Sequence, residues 1–214
     1  MLKVYGFSRV NKMAHGKTRD LRVLWALEEM QVPFEIVGLD HPAHELNTDA
    51  YRRLSPFEQL PAIDDDGVVL SESAAILIYL GRKFGKLMPR DLTGEAQVTR
   101  WCLAAMNSLE LPLLSLTLID WVEQESGCAR YRAFLKRWAE LRLPQLERWL
   151  DGREWVATES FTVADILVAH VLSVVQDDAL LAPHERVRAY RDRCLARPAW
   201  QRVMDSYRAR VEAV

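Results

Sequence analysis

The sequence lacks an excess of charge of either sign. It has 28 lysine and arginine residues against 30 aspartate and glutamate residues, which gives a formal net charge of -2 over 214 residues. Basic and acidic side chains are interspersed along the chain, so no basic surface for a nucleic acid or an acidic membrane is predicted. Half of the residues are hydrophobic and 27% are charged, as is usual for a globular chain.

Long apolar runs and cysteine pairs are also missing. The N-terminal segment 1–10 has no apolar core before a small-residue cleavage site, so no signal peptide is predicted. No run of about 18 apolar residues occurs, so no transmembrane helix is expected. Cys102, Cys128 and Cys194 form no CxxC pair and have no zinc-ligand spacing. We therefore expect buried thiols in a reducing compartment, the cytoplasm, and no metal site.

The first eighty or so residues predict a small mixed sheet. Short apolar runs predict four strands, at 2–7, 34–39, 61–63 and 68–70. Helical spacing of apolar residues predicts helices at 20–31 and 72–84, with a short polar helical turn at 43–54. The acidic turn DDDG joins the last two strands as a hairpin. The order βαβ followed by ββα is a thioredoxin-like layout, in which helices cover the faces of the sheet.

The rest of the chain predicts only helices. Gly85, Pro89 and Gly94 interrupt the periodic pattern and indicate a linker. We predict a thioredoxin-like domain at 1–84, a linker at 85–93 and an all-helical domain at 94–214, which together make an α/β plus all-α fold. The predicted helices lie near 94–125, 129–151, 163–177, 184–195 and 198–212. Pro112 and Pro144 are expected to kink their helices or to start turns within them.

Two sequence features predict a binding site for a peptide. Leu60-Pro61 stands where a strand begins, and a proline cannot donate to the sheet there, so a cis bond is predicted. The N–H and C=O of Leu60 would then be free to pair with an extended peptide. Glu72 and Ser73 open a helix whose N-terminus suits a carboxylate, while the Glu72 carboxylate suits an ammonium group. Glutathione, γ-glutamyl-cysteinyl-glycine, has these groups. The alternative is a structural cis proline with Ser71 or Ser73 as a helix N-cap.

These residues also resemble a known family. SPFEQLPAI at 55–63 and ESAAI at 72–76 are similar to the glutathione transferase pattern N-P-x-G-x-V-P-x-L followed by E-S-x-A-I. Ser55 and Glu58 replace the asparagine and the glycine of that pattern. Ser160–Asp165 (SFTVAD) resembles the buried N-capping box of the same family, with Thr162 as the cap and Asp165 returning a bond to the backbone. The resemblance covers essentially the whole chain.

The resemblance implies a cytoplasmic, homodimeric glutathione S-transferase of the bacterial type that acts in detoxification. Glutathione would be the co-substrate, no metal would be needed, and the glutathione thiolate would attack a hydrophobic electrophile. The residues implied for glutathione binding are Gln59, Leu60, Pro61, Glu72, Ser73, His44 and Lys17. The residues implied for the electrophile, on the first helix after the linker, are Trp101, Ala105, Met106 and Leu109. Trp101 and Leu109 fit the core between the domains equally well.

The residue that activates the thiol is open between three hydroxyl groups. Thr18 takes the place of the first serine in relatives with S-R-S-x-R-V-L-W, although its position also fits a helix N-cap. Tyr5 is the first alternative, because some classes of the family use a tyrosine at the end of the first strand. Ser8 is the second. Each would lower the pKa of the thiol by donating a hydrogen bond to the thiolate.

The segment from Val10 to Lys17 is longer than usual for the family. It would either lie over the active site or form a solvated basic loop. It contains no cysteine, so a glutaredoxin-like reductase with a protein thiol is not expected. Two other functions stay open. One is a glutathione-dependent disulfide reductase, peroxidase or isomerase, and the other is a non-catalytic member that binds glutathione or regulates a partner.

Overall fold

A computed structural model describes residues 1–122, 126–175 and 178–214 of the chain. In chain order its elements are β1 (Lys3–Val10), α1 (Asp20–Met30), β2 (Glu35–Asp40), a 3₁₀ turn (Glu45–Asn47), α2 (Asp49–Arg52), β3 (Ala62–Asp65), β4 (Val68–Ser71), α3 (Ser73–Phe84), α4 (Leu92–Ala104), a π turn (Ala105–Glu110), α5 (Leu111–Val122), a 3₁₀ turn (Ser126–Cys128), α6 (Ala129–Trp149), α7 (Val163–Ser173), α8 (Asp178–Leu181), α9 (Glu185–Leu195), α10 (Pro198–Arg210) and β5 (Glu212–Ala213).

The chain forms two compact units. One contains Met1–Lys86 together with Arg197–Val214, and the other contains Leu87–Ala196. The sequence predicted a linker at 85–93 and the last helix in the helical domain, whereas the units divide after Lys86 and the last helix belongs to the first unit. The predicted fold class is confirmed, because a thioredoxin-like sheet with helices is followed by a helical region.

The sheet of the first unit has the strand order β2-β1-β3-β4. β1 is parallel to β2 and antiparallel to β3, and β3 and β4 form the predicted hairpin. A parallel pair requires a crossover, and α1 supplies it between β1 and β2. β1 extends to Val10, three residues beyond the predicted end, so Val10 belongs to the sheet and is buried.

The last helix packs against the first within this unit. The rings of Trp25 on α1 and Trp200 on α10 lie 4.7 Å apart, and Arg197 forms an ion pair with the nearly buried carboxylate of Glu29. The helix ends at Arg210, two residues before its predicted end, because the chain turns there into β5. This short strand pairs in parallel with the end of β1 and was not predicted.

A buried capping box starts α7 in the second unit. Asp165 Oδ2 accepts hydrogen bonds from the backbone N–H and the hydroxyl of Thr162, at 2.8 and 2.9 Å. Asp165 Oδ1 accepts from the Val156 N–H and the Tyr190 hydroxyl. The predicted box is therefore confirmed, and it also fixes α9 through Tyr190.

The two helical prolines are accommodated differently. Pro112 is the second residue of α5, which begins directly after the π turn, and the first turn of a helix tolerates a residue without an N–H. Pro144 lies inside α6, which continues through it. The continuous run Leu92–Trp121 is long and apolar enough to cross a membrane by length and composition, although 44% of its most apolar window is buried. A core helix has the same properties.

Candidate functional site

The predicted peptide-binding strand end lies at the start of β3. The Leu60–Pro61 bond is cis, as predicted, and the ladder between β1 and β3 begins only at Ala62, opposite Tyr5. Leu60 is buried with Leu46, Tyr51 and Ala62, and Tyr5 packs against this cluster. The Leu60 side chain is therefore anchored in this cluster, while the Leu60 backbone lies just before the β1–β3 ladder. An added strand would pair at that position.

The loop before Leu60 keeps a glycine-like shape without glycine. Glu58, which stands where the family pattern has glycine, has φ of +54°. Its carboxylate accepts hydrogen bonds from Arg52 and Asn47, and the Arg52 hydrogen bond holds the pKa of Glu58 below its usual value. Gln59 is exposed, and its carbonyl accepts a 2.9 Å hydrogen bond from the Tyr51 hydroxyl. The two polar contacts of Glu58 compensate for a backbone conformation that L-residues disfavour.

The start of α3 combines an exposed carboxylate with a buried hydroxyl. Glu72 is the N-cap residue and has φ of +69°, a conformation that costs about 1–3 kcal/mol and is typical of functional sites. Ser73 follows as the first helical residue and is only 4% exposed. The alternative in which Ser71 or Ser73 caps the helix is therefore wrong, because Glu72 occupies the cap position and makes no side-chain cap bond.

A buried arginine supports Ser73. Arg22 on α1 is 1% exposed, and its Nη1 donates to the Ser73 Oγ over 3.1 Å. Because the Ser73 oxygen accepts this bond, its own proton remains available to an acceptor outside the protein. The arrangement places a cation and free N–H groups behind one hydroxyl, which suits an anionic ligand. The sequence analysis missed Arg22, although an arginine on an otherwise apolar helix face is a usable signal.

Thr18 lies in a buried polar group. Its hydroxyl is 3.0 Å from the Tyr207 hydroxyl, and the residue is 8% exposed. The residue before α1 is Arg19, which has helical dihedral angles and makes no side-chain cap bond, so the helix N-cap remains the alternative role of Thr18. The adjacent Asp20 is fully buried. Desolvation raises the pKa of this carboxyl, while the Thr18 hydroxyl, the Phe7 N–H and the charge of Arg210 oppose the rise.

The other two candidate hydroxyl groups lie on β1. Tyr5 is half-buried, and its ring meets the Tyr51 ring edge-on at a centroid distance of 6.2 Å, on the side of the sheet that holds Leu60. Ser8 lies against Gly38 of β2, where an added Cβ on the glycine would come within 2.8 Å of the Ser8 Cβ. Tyr5 therefore stands closer than Ser8 to the predicted peptide site.

The segment between β1 and α1 is tied to the end of the chain. The Lys12 N–H donates to the Val214 carbonyl, and the His15 Nε2 lies 3.0 Å from the Val211 carbonyl. Lys17 donates to the Met13 carbonyl within the segment, and burial lowers the pKa of Lys17. This segment is therefore packed against the C-terminal residues of its own unit.

His44 lies apart from that segment. It is exposed, has φ of +59° and precedes the first 3₁₀ turn. Its neighbour His41 meets the ring of Phe7 edge-on, with centroids 5.8 Å apart. His44 is therefore accessible to solvent on the connection that follows β2.

The electrophile candidates lie on α4 and the π turn of the second unit. Ala105 and Leu109 are buried, whereas Trp101 and Met106 are partly exposed. The ring of Trp101 packs on Trp149 at a centroid distance of 5.3 Å. Two of the four candidates thus have the accessibility that contact with a ligand needs.

Residues 1–86, which contain the predicted glutathione site, include no cysteine. Burial raises the pKa of Cys102 to about 12, so its thiol stays protonated at neutral pH. In the described part of the chain, no three His, Cys, Asp or Glu side chains are grouped in a way that would hold a metal ion.

Two family models match the chain. Residues 21–83 match the family model described as "Glutathione S-transferase, N-terminal domain", and residues 130–198 match "Glutathione S-transferase, C-terminal domain". "Glutathione S-transferase 3" of Schizosaccharomyces pombe is 30% identical over 208 residues, which cover 88% of this chain and 86% of that protein.

Solved structures show the same fold. A glutathione transferase from Pseudomonas putida with glutathione disulfide bound has a TM-score of 0.84 and 24% identity, covering 95% of this chain and 90% of that one. A glutathione transferase from Burkholderia graminis with two glutathione molecules per subunit has a TM-score of 0.81 and 26% identity, covering 96% and 88%.

Proposed function

This chain belongs to the glutathione S-transferase family, and from that premise we propose that it binds glutathione and catalyses attack of the glutathione thiolate on an electrophilic carbon of a hydrophobic compound. A carbon–sulfur bond forms, and the leaving group departs with the bonding electron pair. The observation that carries the proposal is the start of α3, where exposed Glu72 adjoins Ser73 and the buried Arg22 stands behind the Ser73 hydroxyl. An amino-acid head group has both charges that this arrangement can bind.

In this proposal each part of glutathione has its own partner. The Glu72 carboxylate pairs with the γ-glutamyl ammonium group, and the Ser73 hydroxyl donates to the γ-glutamyl carboxylate at the positive end of α3. The backbone of Leu60, next to Pro61, pairs with the cysteinyl residue. The exposed side chain of Gln59 reaches the peptide from the same loop. His44 is the proposed partner of the glycyl carboxylate, and Lys17 is the alternative.

The chemical task is to ionise the thiol. A free thiol has a pKa of about 8.5, so only about 3% is thiolate at pH 7. Lowering that pKa by about two units raises the thiolate fraction to roughly three quarters. We propose Thr18 as the hydroxyl donor to the sulfur, with Tyr5 and Ser8 as the alternatives. The place of Thr18 just before α1 supports this role, because the positive end of a helix stabilises a nearby thiolate.

The electrophile is proposed to contact Trp101 and Met106, the two partly exposed candidates, with Ala105 and Leu109 buried behind them. Apolar side chains with few polar groups suit a hydrophobic compound. We also propose that the protein is a cytoplasmic homodimer that acts in detoxification and needs no metal.

One observation favours a second function, the glutathione-dependent reduction of disulfides. The relative from Pseudomonas putida was solved with glutathione disulfide, and the relative from Burkholderia graminis with two glutathione molecules per subunit. A reductase of this kind would take its electrons from glutathione, because residues 1–86, which contain the proposed glutathione site, include no cysteine.

The proposed site is tested by calorimetry of glutathione binding to Glu72→Ala. Loss of one charge-assisted hydrogen bond of about 1.5–3 kcal/mol predicts a Kd that is roughly 10- to 150-fold weaker. Glu35→Ala, another exposed glutamate of the same unit, is the matched control and should bind like the wild type. An unchanged affinity in Glu72→Ala would refute the proposed site.

The reaction is tested with glutathione and three substrates, namely an aryl halide, a hydroperoxide and a mixed disulfide. Turnover of the aryl halide is the expected result. Turnover of the mixed disulfide alone would establish the second function. Tight binding of glutathione without turnover of any substrate would indicate a non-catalytic binding protein.

A further inference from the structure

The Thr18 hydroxyl contacts a second buried hydroxyl that comes from the last helix. Tyr207 on α10 is completely buried, and its oxygen lies 3.0 Å from the Thr18 Oγ1. The ring of His15 packs on the Tyr207 ring at 5.2 Å, and the guanidinium of Arg210 lies 5.9 Å from the ring centroid. His15 and Arg210 therefore contact the Tyr207 ring, and Thr18 contacts the Tyr207 hydroxyl.

The two hydroxyl groups differ in donor strength, and this difference favours one direction for the bond between them. By geometry either oxygen could be the donor. A phenolic hydroxyl, with a pKa of about 10, is a stronger donor and a weaker acceptor than the aliphatic hydroxyl of threonine, so the Tyr207 proton is given to the Thr18 oxygen. Thr18 then keeps its single proton for another acceptor.

Two acceptors compete for that Thr18 proton. One is the buried carboxylate of Asp20, which faces the Thr18 hydroxyl. The other, when glutathione is bound, is the sulfur of its cysteinyl residue. The charged and titratable groups that interact with this pair or with Asp20 are Asp20 on α1, Arg210 on α10, Tyr51 on α2 and His15 from the connecting segment.

The sheet register gives the position of Thr18 and Asp20 relative to Leu60. Tyr5 pairs with Ala62, so an unbroken ladder would place Phe7 opposite Leu60. Instead the Phe7 N–H donates to Asp20 over 3.1 Å, and the Phe7 carbonyl accepts from Arg210. The Thr18 group therefore stands at the strand edge that faces Leu60, where the cysteinyl residue is proposed to bind.

We infer that Tyr207 is a positioning residue of the thiol site, which donates to the Thr18 oxygen and so directs the Thr18 proton to the glutathione sulfur. This inference rests on the proposed function. The last helix thereby takes part in setting the acidity of the thiol, although Tyr207 itself does not touch the ligand.

The test is a titration of enzyme-bound glutathione, in which thiolate absorbance is followed against pH. Tyr207→Phe keeps the ring and removes only the hydroxyl. Since one hydrogen bond strengthens the next by about 10–30%, the thiol pKa should rise by a few tenths of a unit, up to about 0.7 unit. Below the thiol pKa, kcat/KM should fall up to about fivefold, while the Kd for glutathione stays near the wild-type value.

A double-mutant cycle separates positioning from a purely structural role. Thr18→Ala should raise the thiol pKa more than Tyr207→Phe does, and adding Tyr207→Phe to Thr18→Ala should change the pKa no further. Tyr190→Phe is the matched control. Like Tyr207, Tyr190 is fully buried with a hydrogen-bonded hydroxyl, in this case donating to Asp165 in the other unit, so Tyr190→Phe should leave the thiol pKa unchanged.

The outcomes distinguish the two proposals. If the wild type does not bind glutathione, the proposed function fails. If the wild type binds glutathione with a lowered thiol pKa that Tyr207→Phe does not alter, the inference about Tyr207 fails alone. A Tyr207→Phe effect that persists in the Thr18→Ala background would also overturn it, because the hydroxyl would then act without Thr18.

Discussion

Ser73 contacts Arg22 and is proposed to contact the glutathione carboxylate, and Ser73→Ala should remove both contacts. On the protein side, its Oγ accepts from the buried Arg22 over 3.1 Å. On the ligand side, its proton is proposed to bind the γ-glutamyl carboxylate. Ser73→Ala removes one oxygen atom and hardly any volume, so the two losses can be measured without a packing change.

The magnitudes follow from the burial of the two groups. A hydrogen bond to a charged ligand group contributes about 1.5–3 kcal/mol, so the Kd for glutathione should weaken roughly 10- to 150-fold. A buried donor that loses an acceptor costs about 1–3 kcal/mol, and Arg22 has further contacts that moderate the loss. The lower half of that range corresponds to a decrease in Tm of about 2–8 °C for a chain of this size.

Calorimetry with glutathione and a thermal melt of the free protein measure the two effects separately. Ser71→Ala, two residues earlier at the end of β4, is the control and should leave the affinity unchanged. If Ser73→Ala lowers the Tm but binds glutathione as tightly as the wild type, Ser73 serves only Arg22, and the proposed contact with the carboxylate is wrong.

Two further predictions concern stability. The first concerns Glu58, whose φ of +54° is a conformation that only glycine adopts without strain. Glu58→Gly should therefore melt at a higher temperature than Glu58→Ala, although glycine normally destabilises a protein relative to alanine. The opposite order in thermal melts would show that the loop changes its conformation in the variants. Although burial opposes ionisation of Asp65, hydrogen bonds from Lys83 and Tyr79 hold its pKa below the usual value. A lowered carboxyl pKa stabilises the fold above the unfolded-state pKa of about 4 and ceases to do so as the pH falls through the folded-state pKa. Denaturant unfolding should therefore show Lys83→Met less stable than the wild type at pH 6, with the difference shrinking at lower pH; a difference independent of pH would exclude this coupling.

Local patterns determined most of the sheet and the peptide end of the candidate site. Alternating strands, a hairpin turn and a helix start are short-range features, so the order βαβ–ββα followed from the sequence alone. The cis bond before Pro61 and the Glu72-Ser73 helix start were predictable for the same reason, since each depends on two or three adjacent residues.

The capping box at α7 belongs to the same class, because Thr162 and Asp165 are three residues apart. β5 and α8 were not predicted, and most other differences lie at element ends. The last helix stops at Arg210, since the residues after it pair with β1, a partner about two hundred positions earlier in the chain.

Tertiary structure decided what surrounds the thiol end of the site. The Thr18 hydroxyl meets Tyr207 across 189 positions, and the Phe7 carbonyl meets Arg210 across 203. No periodicity or spacing connects residues so far apart, because their contact exists only after α10 has packed on α1. The sequence alone therefore predicted a glutathione site with a threonine beside it, and the fold alone brought the buried Tyr207 hydroxyl next to that threonine and the Arg210 guanidinium to the Phe7 carbonyl.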